Sequence, residues 1–404
     1  MKEMAGSMND ALETAGRARL DGVDVLRGLC VLLVLMHHIH LRFVLNDYDV
    51  DGVLPGTINQ LLFWSGYYAV IAFFVISGFL ITRLSIRRWG STGGVRVLPF
   101  YGMRVARIVP CLILLLALLS ALHLAGAADF TIKPERASLG RALWSALTFQ
   151  INWLEGQRGY LPGGWDILWS LSIEEMFYLA FPLACVILRS ERLLLGALLC
   201  LIAVGPVDRT LLAEQDPWGD YAYLSCMDGI AFGCLAALAC AHLRPSRHAL
   251  RMVLTGGAIA ASLVLILCNE NLHTGLCRYG LNVTVLEAGI ASMLIALGSG
   301  VANASMARGT GWLRAIGHAS YEIYLFHMLV VLALVNLFKR IQPAADMIPL
   351  WYLAMLAISL LLGYAVSKLY SEPLNRLLRF RYLQEVPKAK STAGGSLVTT
   401  GDVK

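Results

Sequence analysis

Ten stretches of this chain are apolar over a length that matches a lipid bilayer, and that pattern constrains the fold more than any other feature. They fall near residues 25–45, 60–82, 104–124, 168–188, 193–207, 222–242, 252–268, 281–301, 316–338 and 349–370. A helix rises about 1.5 Å per residue, so about 20 apolar residues cross the ~30 Å hydrocarbon core. The runs are blocks, unlike the short runs of a soluble core. Composition agrees, with 57% hydrophobic and 15% charged residues and a mean hydropathy of +0.65. A soluble chain carries about 25% charged residues to solvate its surface. The expectation is an all-α integral membrane protein of about ten transmembrane helices.

Lys and Arg orient the spans, because cytoplasmic loops hold an excess of them. The loop 83–103 carries Arg83, Arg87, Arg88 and Arg96, whereas 46–59 carries Asp47, Asp49 and Asp51. The first is expected inside and the second outside. Arg189, Arg244, Arg314 and Arg376 follow the same rule; Lys339 and Arg340 break it. Both termini are then cytoplasmic. Residues 1–24 form a polar N-terminal segment, 25–375 the transmembrane domain, and 376–404 a polar tail expected to be disordered. No soluble catalytic domain is expected. The first apolar run lacks a small-residue cleavage site and reads as a retained span. Block 125–167 is polar and punctuated by Gly and Pro. Its apolar piece at 143–154 is too short to span, and is expected to re-enter or to lie in the interface.

The net charge of +6 sits in inter-helix loops. It is read as orientation, with no nucleic-acid partner. The nine cysteines lie almost all in apolar segments without CxxC spacing, so they read as small hydrophobes and imply no metal. A disulfide between Cys268 and Cys277, which flank an expected external loop, is an alternative for that pair.

Polar residues inside the spans carry the chemistry. In DVLRGLCVLLVLMHHIHLRF, Arg27 and His38 are almost three helical turns apart, on one face and roughly 16 Å along the axis. His38 then lies near mid-bilayer, where an imidazole is costly unless it faces a polar cavity or is satisfied by a neighbouring helix. Its ordinary pKa suits a general base. His37 points elsewhere and His40 sits nearer the external rim. In YGMRVARIVP, Arg104 and Arg107 stand one turn apart at the expected start of the third span. Such a pair suits phosphate, with the helix dipole adding to it. Ordinary positive-inside anchoring is the alternative reading, and the pair by itself favours it.

Glu174 and Glu175, in GGWDILWSLSIEEMFYLAFP, are adjacent acids in the fourth span, with Tyr178 one turn on. Adjacent residues diverge by about 100°, so one of the two is expected to face the His38 cavity and orient the imidazole. FFVISGFL places Ser77 and Gly78 in the second span, a small pair that permits close helix packing. SYEIYLFH brings a second deep histidine, His327, with Tyr324 one turn before it. Asp228 and Glu287 are further intramembrane acids, with structural and functional readings both open.

Five segments in order resemble the acyltransferase-3 family: Arg27 to His38, FFVISGFLIT at 73–82, Arg104-x-x-Arg107, WSLSIEEMFYL at 169–179 and SYEIYLFH at 320–327. They cover residues 20 to 375. The resemblance implies a ten-helix enzyme of the bacterial inner membrane, decorating polysaccharides, lipid-linked saccharides, Nod factors or macrolide-like acceptors. It implies an acyl-CoA donor, with acetyl-CoA foremost, and a catalytic histidine in the first span. By it, His38 is catalytic with Glu174 or Glu175 as orienter. Arg27, Arg104 and Arg107 hold the donor, and Ser77, Tyr178, Tyr324 and His327 support the site. His38 would deprotonate the acceptor hydroxyl or carry the acyl group as a transient acyl-imidazole; both routes stay open. Some relatives of that type carry a fused esterase-like domain, and none is expected here. The rival reading is a secondary transporter with a His and acid proton relay. It leaves the arginine pair unexplained, and the paired broken helices of transporters are not evident.

Overall fold

A computed structural model describes residues 20–48, 55–267, 275–301 and 309–383. The described residues form helices and no strand. Those of eight residues or more are α1 (Asp21–Val44), α2 (Gly66–Trp89), α3 (Val97–Leu124), α4 (Leu139–Leu147), α5 (Ile151–Arg158), α6 (Leu168–Leu188), α7 (Glu191–Leu212), α8 (Tyr223–His242), α9 (Arg247–Leu267), α10 (Leu281–Gly298), α11 (Gly311–His318), α12 (Ser320–Ile341), α13 (Ile348–Val366) and α14 (Glu372–Leu383). Ten are long and apolar enough to cross a membrane: α1, α2, α3, α6 to α10, α12 and α13, some with their flanks.

The expected spans sit on these helices, with shifted ends. The third helix begins at Val97, not at Arg104. The expected 316–338 span is two elements, α11 and α12, that meet at Ala319. The apolar piece at 143–154 is a pair of short helices, α4 and α5, turned at Phe149, whose φ is +58°. Their lengths of 9 and 8 residues give about 13 Å each, too short to span. Ser172 Oγ of α6 accepts the amide of Ile151 at the start of α5 (3.1 Å), which ties the pair to a spanning helix. The expected tail at 376–404 is helical as far as Leu383. Residues 384–404, most of the N-terminal segment and Cys268 lie outside the described residues, and with Cys268 the disulfide alternative.

In lipid, helices gain little by hiding apolar faces from each other, so close backbone approach through small residues drives their packing. Gly78 of α2 lies against the Ile230 carbonyl of α8, and Gly233 of α8 against the Val75 carbonyl of α2. A Cβ at either position would enter the facing backbone. Gly28 of α1 and Gly317 of α11 make the same reciprocal contact, with the carbonyls of Leu313 and Asp24. The apolar core falls into two main clusters. One surrounds α2, α8 and α10, with Phe74, Phe79, Ile230 and Leu294. The other surrounds α1, α3, α12 and α13, with Ile39, Leu112, Phe326 and Met355. The functional cavity opens along the seam between them.

Candidate active site

Small and polar side chains interrupt the apolar seam at matching depth on α1, α2, α3, α6 and α12, and a cavity of about 150 Å³ forms there. Arg27, Ser77, Arg104, Arg107, Glu174, Glu175, Tyr178 and Tyr324, all expected site residues, line it together. Its apolar wall comes from both core clusters, Phe74 and Ile76 from one, Ile108 and Leu171 from the other. Ser77 is thus not part of a packing pair. Gly78 makes the close approach to α8, while Ser77, about 100° round the helix, turns its hydroxyl into the cavity.

The two glutamates differ in their partners. Ser77 Oγ and Tyr178 Oη both donate to Glu174 Oε1. Glu175 lines the same cavity, and its Oε1 makes no hydrogen bond among the described residues. The expectation that only one acid faces the cavity is corrected: at the curved wall both side chains reach it. The expectation that one of them orients His38 is corrected as well: Glu174 is committed to Ser77 and Tyr178, and the partners of His38 Nδ1 are the Val34 carbonyl and His327, not either glutamate.

The arginines also differ. Because α3 starts at Val97, Arg104 and Arg107 lie beyond its first turn, where the dipole has little effect. The helix dipole therefore adds little to either arginine, contrary to the expectation. Arg107 pairs with Glu322, a fully buried acid of α12, at 2.6 Å (Nη1–Oε1). Ser371 Oγ donates to the same Glu322 oxygen at 2.5 Å. Arg104 lays its guanidinium on the Tyr178 ring, 3.9 Å from the centroid, at the cavity wall. Arg27 donates to Ser320 Oγ at 2.9 Å and sits 3.6 Å from Asp24.

At its outer end the cavity meets a larger vestibule of about 750 Å³, and Arg27, Leu80 and Arg107 line both. Arg83, Arg87, Arg88 and Arg379 add to its wall, against the acids Asp24 and Glu372. The Nε–H groups of Arg83, Arg88 and Arg379 are buried and unpartnered among the described residues. Six arginines against two acids give the vestibule a positively charged lining.

The histidines stand past the inner end. His38 and His327 do not line the cavity; Tyr324 does, and its ring centroid is 5.8 Å from that of His327. The Tyr324 hydroxyl bonds Ser170 Oγ (2.7 Å) and the Ile167 carbonyl (3.0 Å). His327 Nε2 lies 3.1 Å from His38 Nδ1. The group that touches His38 is therefore a second imidazole. His37 bonds the Phe63 carbonyl at 2.7 Å, and His40 is buried with Tyr352 Oη at 3.1 Å, so both serve other contacts.

Asp228 and Glu287 lie apart from this site. Asp228 pairs with Arg209 at 2.8 Å, and Arg209 also reaches the carbonyls of Gly280 and Ser225. That favours the structural reading for Asp228.

A family model described as an acyltransferase domain matches residues 20–368. The chain belongs to the acyltransferase-3 family. Among its relatives, a Staphylococcus aureus (strain COL) protein provisionally named an O-acetyltransferase is 29% identical over 173 residues. The O-acetyltransferase OatA of Staphylococcus aureus (strain NCTC 8325 / PS 47) is 28% identical over 180 residues. Each match covers 42% of this chain and 25% of the relative, so the chain spans about a quarter of the length of these curated relatives. No solved structure matches it.

Within this acyltransferase-3 chain, sequence reasoning missed Glu322, Ser371 and the inward turn of Arg83, Arg88 and Arg379. Glu322 was visible in principle, as an acid inside SYEIYLFH that needs a buried cation. The vestibule arginines carried no such signal, because a basic loop reads the same whether its side chains face lipid headgroups or a cavity.

Proposed function

We propose that the protein is a membrane-embedded O-acyltransferase that moves an acyl group, acetyl foremost, from acyl-CoA to a hydroxyl of a glycan or glycosylated small molecule. One observation carries the reading: an arginine-walled vestibule narrows into a polar cavity that ends at Tyr324 beside the His38–His327 pair. The vestibule has the volume of a typical ligand pocket and the charge for a nucleotide polyphosphate. The inner cavity is too small for a nucleotide and suits a slender pantetheine arm. Family membership supports acyl transfer, and the names of the relatives support an acetyl group.

In the direct route, His38 takes the proton of the acceptor hydroxyl as its oxygen attacks the thioester carbon. The C–O bond forms, the C–S bond breaks, and the same proton passes from His38 to the departing thiolate. Glu174, held by Ser77 and Tyr178, and Glu175 beside Arg104 line the channel that the arm would follow. The arginine-rich end of the bundle would face the cytoplasm, where CoA esters are made.

Release of free CoA by the purified protein in detergent, with and without sugar or macrolide acceptors, tests this. Acceptor-stimulated release that falls at least ~100-fold in His38→Ala is expected, with a milder loss in His37→Ala. Gradient-driven solute uptake in sealed vesicles, without CoA release over a broad acceptor panel, would move the assignment to transport.

A further inference from the structure

We infer that His38 works through Nε2, and that His327 is the positioning residue that fixes this tautomer. The inference rests on the proposed acyl-transfer reading for its chemistry and on hydrogen-bond geometry for its assignment.

A neutral imidazole has one N–H and one lone pair, and a backbone carbonyl only accepts. His327 Nδ1 is 2.6 Å from the Tyr324 carbonyl oxygen, so Nδ1 carries the proton. His327 Nε2 is then a lone pair, and it points at His38 Nδ1 from 3.1 Å. His38 Nδ1 is also 3.0 Å from the Val34 carbonyl oxygen. Two acceptors converge on that nitrogen, so it carries the hydrogen and shares it between them. The remaining nitrogen of His38, Nε2, is left with its lone pair. The alternative neutral tautomer of His327 would set a lone pair against a carbonyl lone pair at 2.6 Å. Rotating the His38 ring by 180° would place a carbon where both contacts now are. A chain of three groups thus selects the basic nitrogen.

In serine hydrolases a carboxylate does this work for the catalytic histidine. Here no carboxylate hydrogen-bonds to His38 among the described residues, and a neutral imidazole takes the place. The exchange has a physical reason. His38 and His327 lie deep in the bundle, and His327 is fully buried. A carboxylate there would bear a desolvation penalty through the whole cycle, whereas His327 stays neutral. When Nε2 takes the acceptor proton, Nδ1–H still donates to His327 Nε2, and the Tyr324 carbonyl polarises His327 in turn. The cation exists only transiently and is met by dipoles already in place.

The test has two arms on the full-length protein. Solid-state NMR of the ¹⁵N-histidine-labelled wild type in bilayers reads the tautomer directly. Nδ1–H with a bare Nε2 on both His38 and His327 is expected, and Nε2–H on His38 would overturn the inference. That result does not depend on activity, so it stands apart from any failure of the acyl-transfer reading. In the second arm, His327→Leu should lower kcat for acetyl-CoA turnover about 100-fold with unchanged acetyl-CoA affinity. His327→Gln, whose amide oxygen can accept from His38 Nδ1, should recover to within about tenfold of wild type. His327→Leu at wild-type kcat, or Gln and Leu variants equally impaired in both kcat and acetyl-CoA affinity, would overturn it.

Discussion

Replacing Arg107 by alanine should cost stability before it costs donor binding, because the guanidinium is the counterion of Glu322. Glu322 is fully buried, and Arg107 meets it at 2.6 Å and 3.4 Å. Removing one partner of a buried ion pair costs about 3–5 kcal/mol, since the other charge stays desolvated. The Arg107 side chain is 24% exposed to the cavity. That places the cost at the low end, about 3 kcal/mol. At the low end of the usual conversion, the midpoint of thermal unfolding falls by ~6 °C. Glu322→Gln removes the charge that Arg107 compensates, so adding it to Arg107→Ala should restore about half of the loss. The coupling would be about 1.5 kcal/mol plus whatever Glu322→Gln costs alone, as for two groups in direct contact. The assay is thermal unfolding of the wild type, both single variants and the double variant in one detergent, beside acetyl-CoA titration of each. Wild-type stability in Arg107→Ala together with lost donor affinity would refute the argument, and Arg107 would then be a free anion clamp.

Arg104 offers the contrast: Arg104→Ala gives up a stacking contact of about 1 kcal/mol and should leave folding intact while acetyl-CoA affinity drops about tenfold. Titration of purified protein of verified orientation checks this, and an unchanged affinity would remove Arg104 from the donor site. Gly233→Leu would drive a side chain into the Val75 carbonyl and separate α2 from α8; size-exclusion profiles should show aggregated protein, and a monodisperse variant of normal yield would contradict the packing account. Burial, with Asp166 beside it, holds the Glu155 carboxyl well above the usual carboxylate range. The folded state then keeps a proton that the unfolded chain releases, so stability is full at acid pH and falls as pH rises through the folded value. Glu155→Gln should remove that slope, its advantage in unfolding midpoint growing from mildly acidic to alkaline pH, and a constant difference would show that Glu155 is already ionised.

The bilayer spans were legible in the sequence because apolar length is a property of the segment alone. Helical spacing likewise put Arg27 and His38 on one face, though of the two only Arg27 lines the cavity. The start of α3 was not. Val97 to Tyr101 are apolar but lie between Arg96 and Arg104, and charges at both ends shorten a hydropathy window. Glu322 finds Arg107 across 215 residues, and His327 finds His38 across 289. Such pairs depend on which helices become neighbours, and no periodicity within one segment encodes that. The expectation of a glutamate beside His38 failed for this reason. It placed the partner by depth along one helix rather than by the helix that packs there, which brings His327.

The same hydrogen bonds bear on the choice between enzyme and transporter. A proton relay needs each member to accept on one side and donate on the other. His38 and His327 satisfy this between themselves, but the next group along is the Tyr324 carbonyl oxygen at 2.6 Å. A carbonyl polarises its partner and passes no proton onward. Toward the vestibule, the acids Asp24 and Glu322 are paired with Arg27 and Arg107. Asp24 also meets His318 at 2.7 Å, so these acids are taken up by contacts within the bundle. A site that must hold one proton on His38 Nε2 and return it to a leaving group a few ångströms away needs no longer wire. The arrangement fits local acid–base chemistry at the end of a donor channel better than proton transit across the bundle.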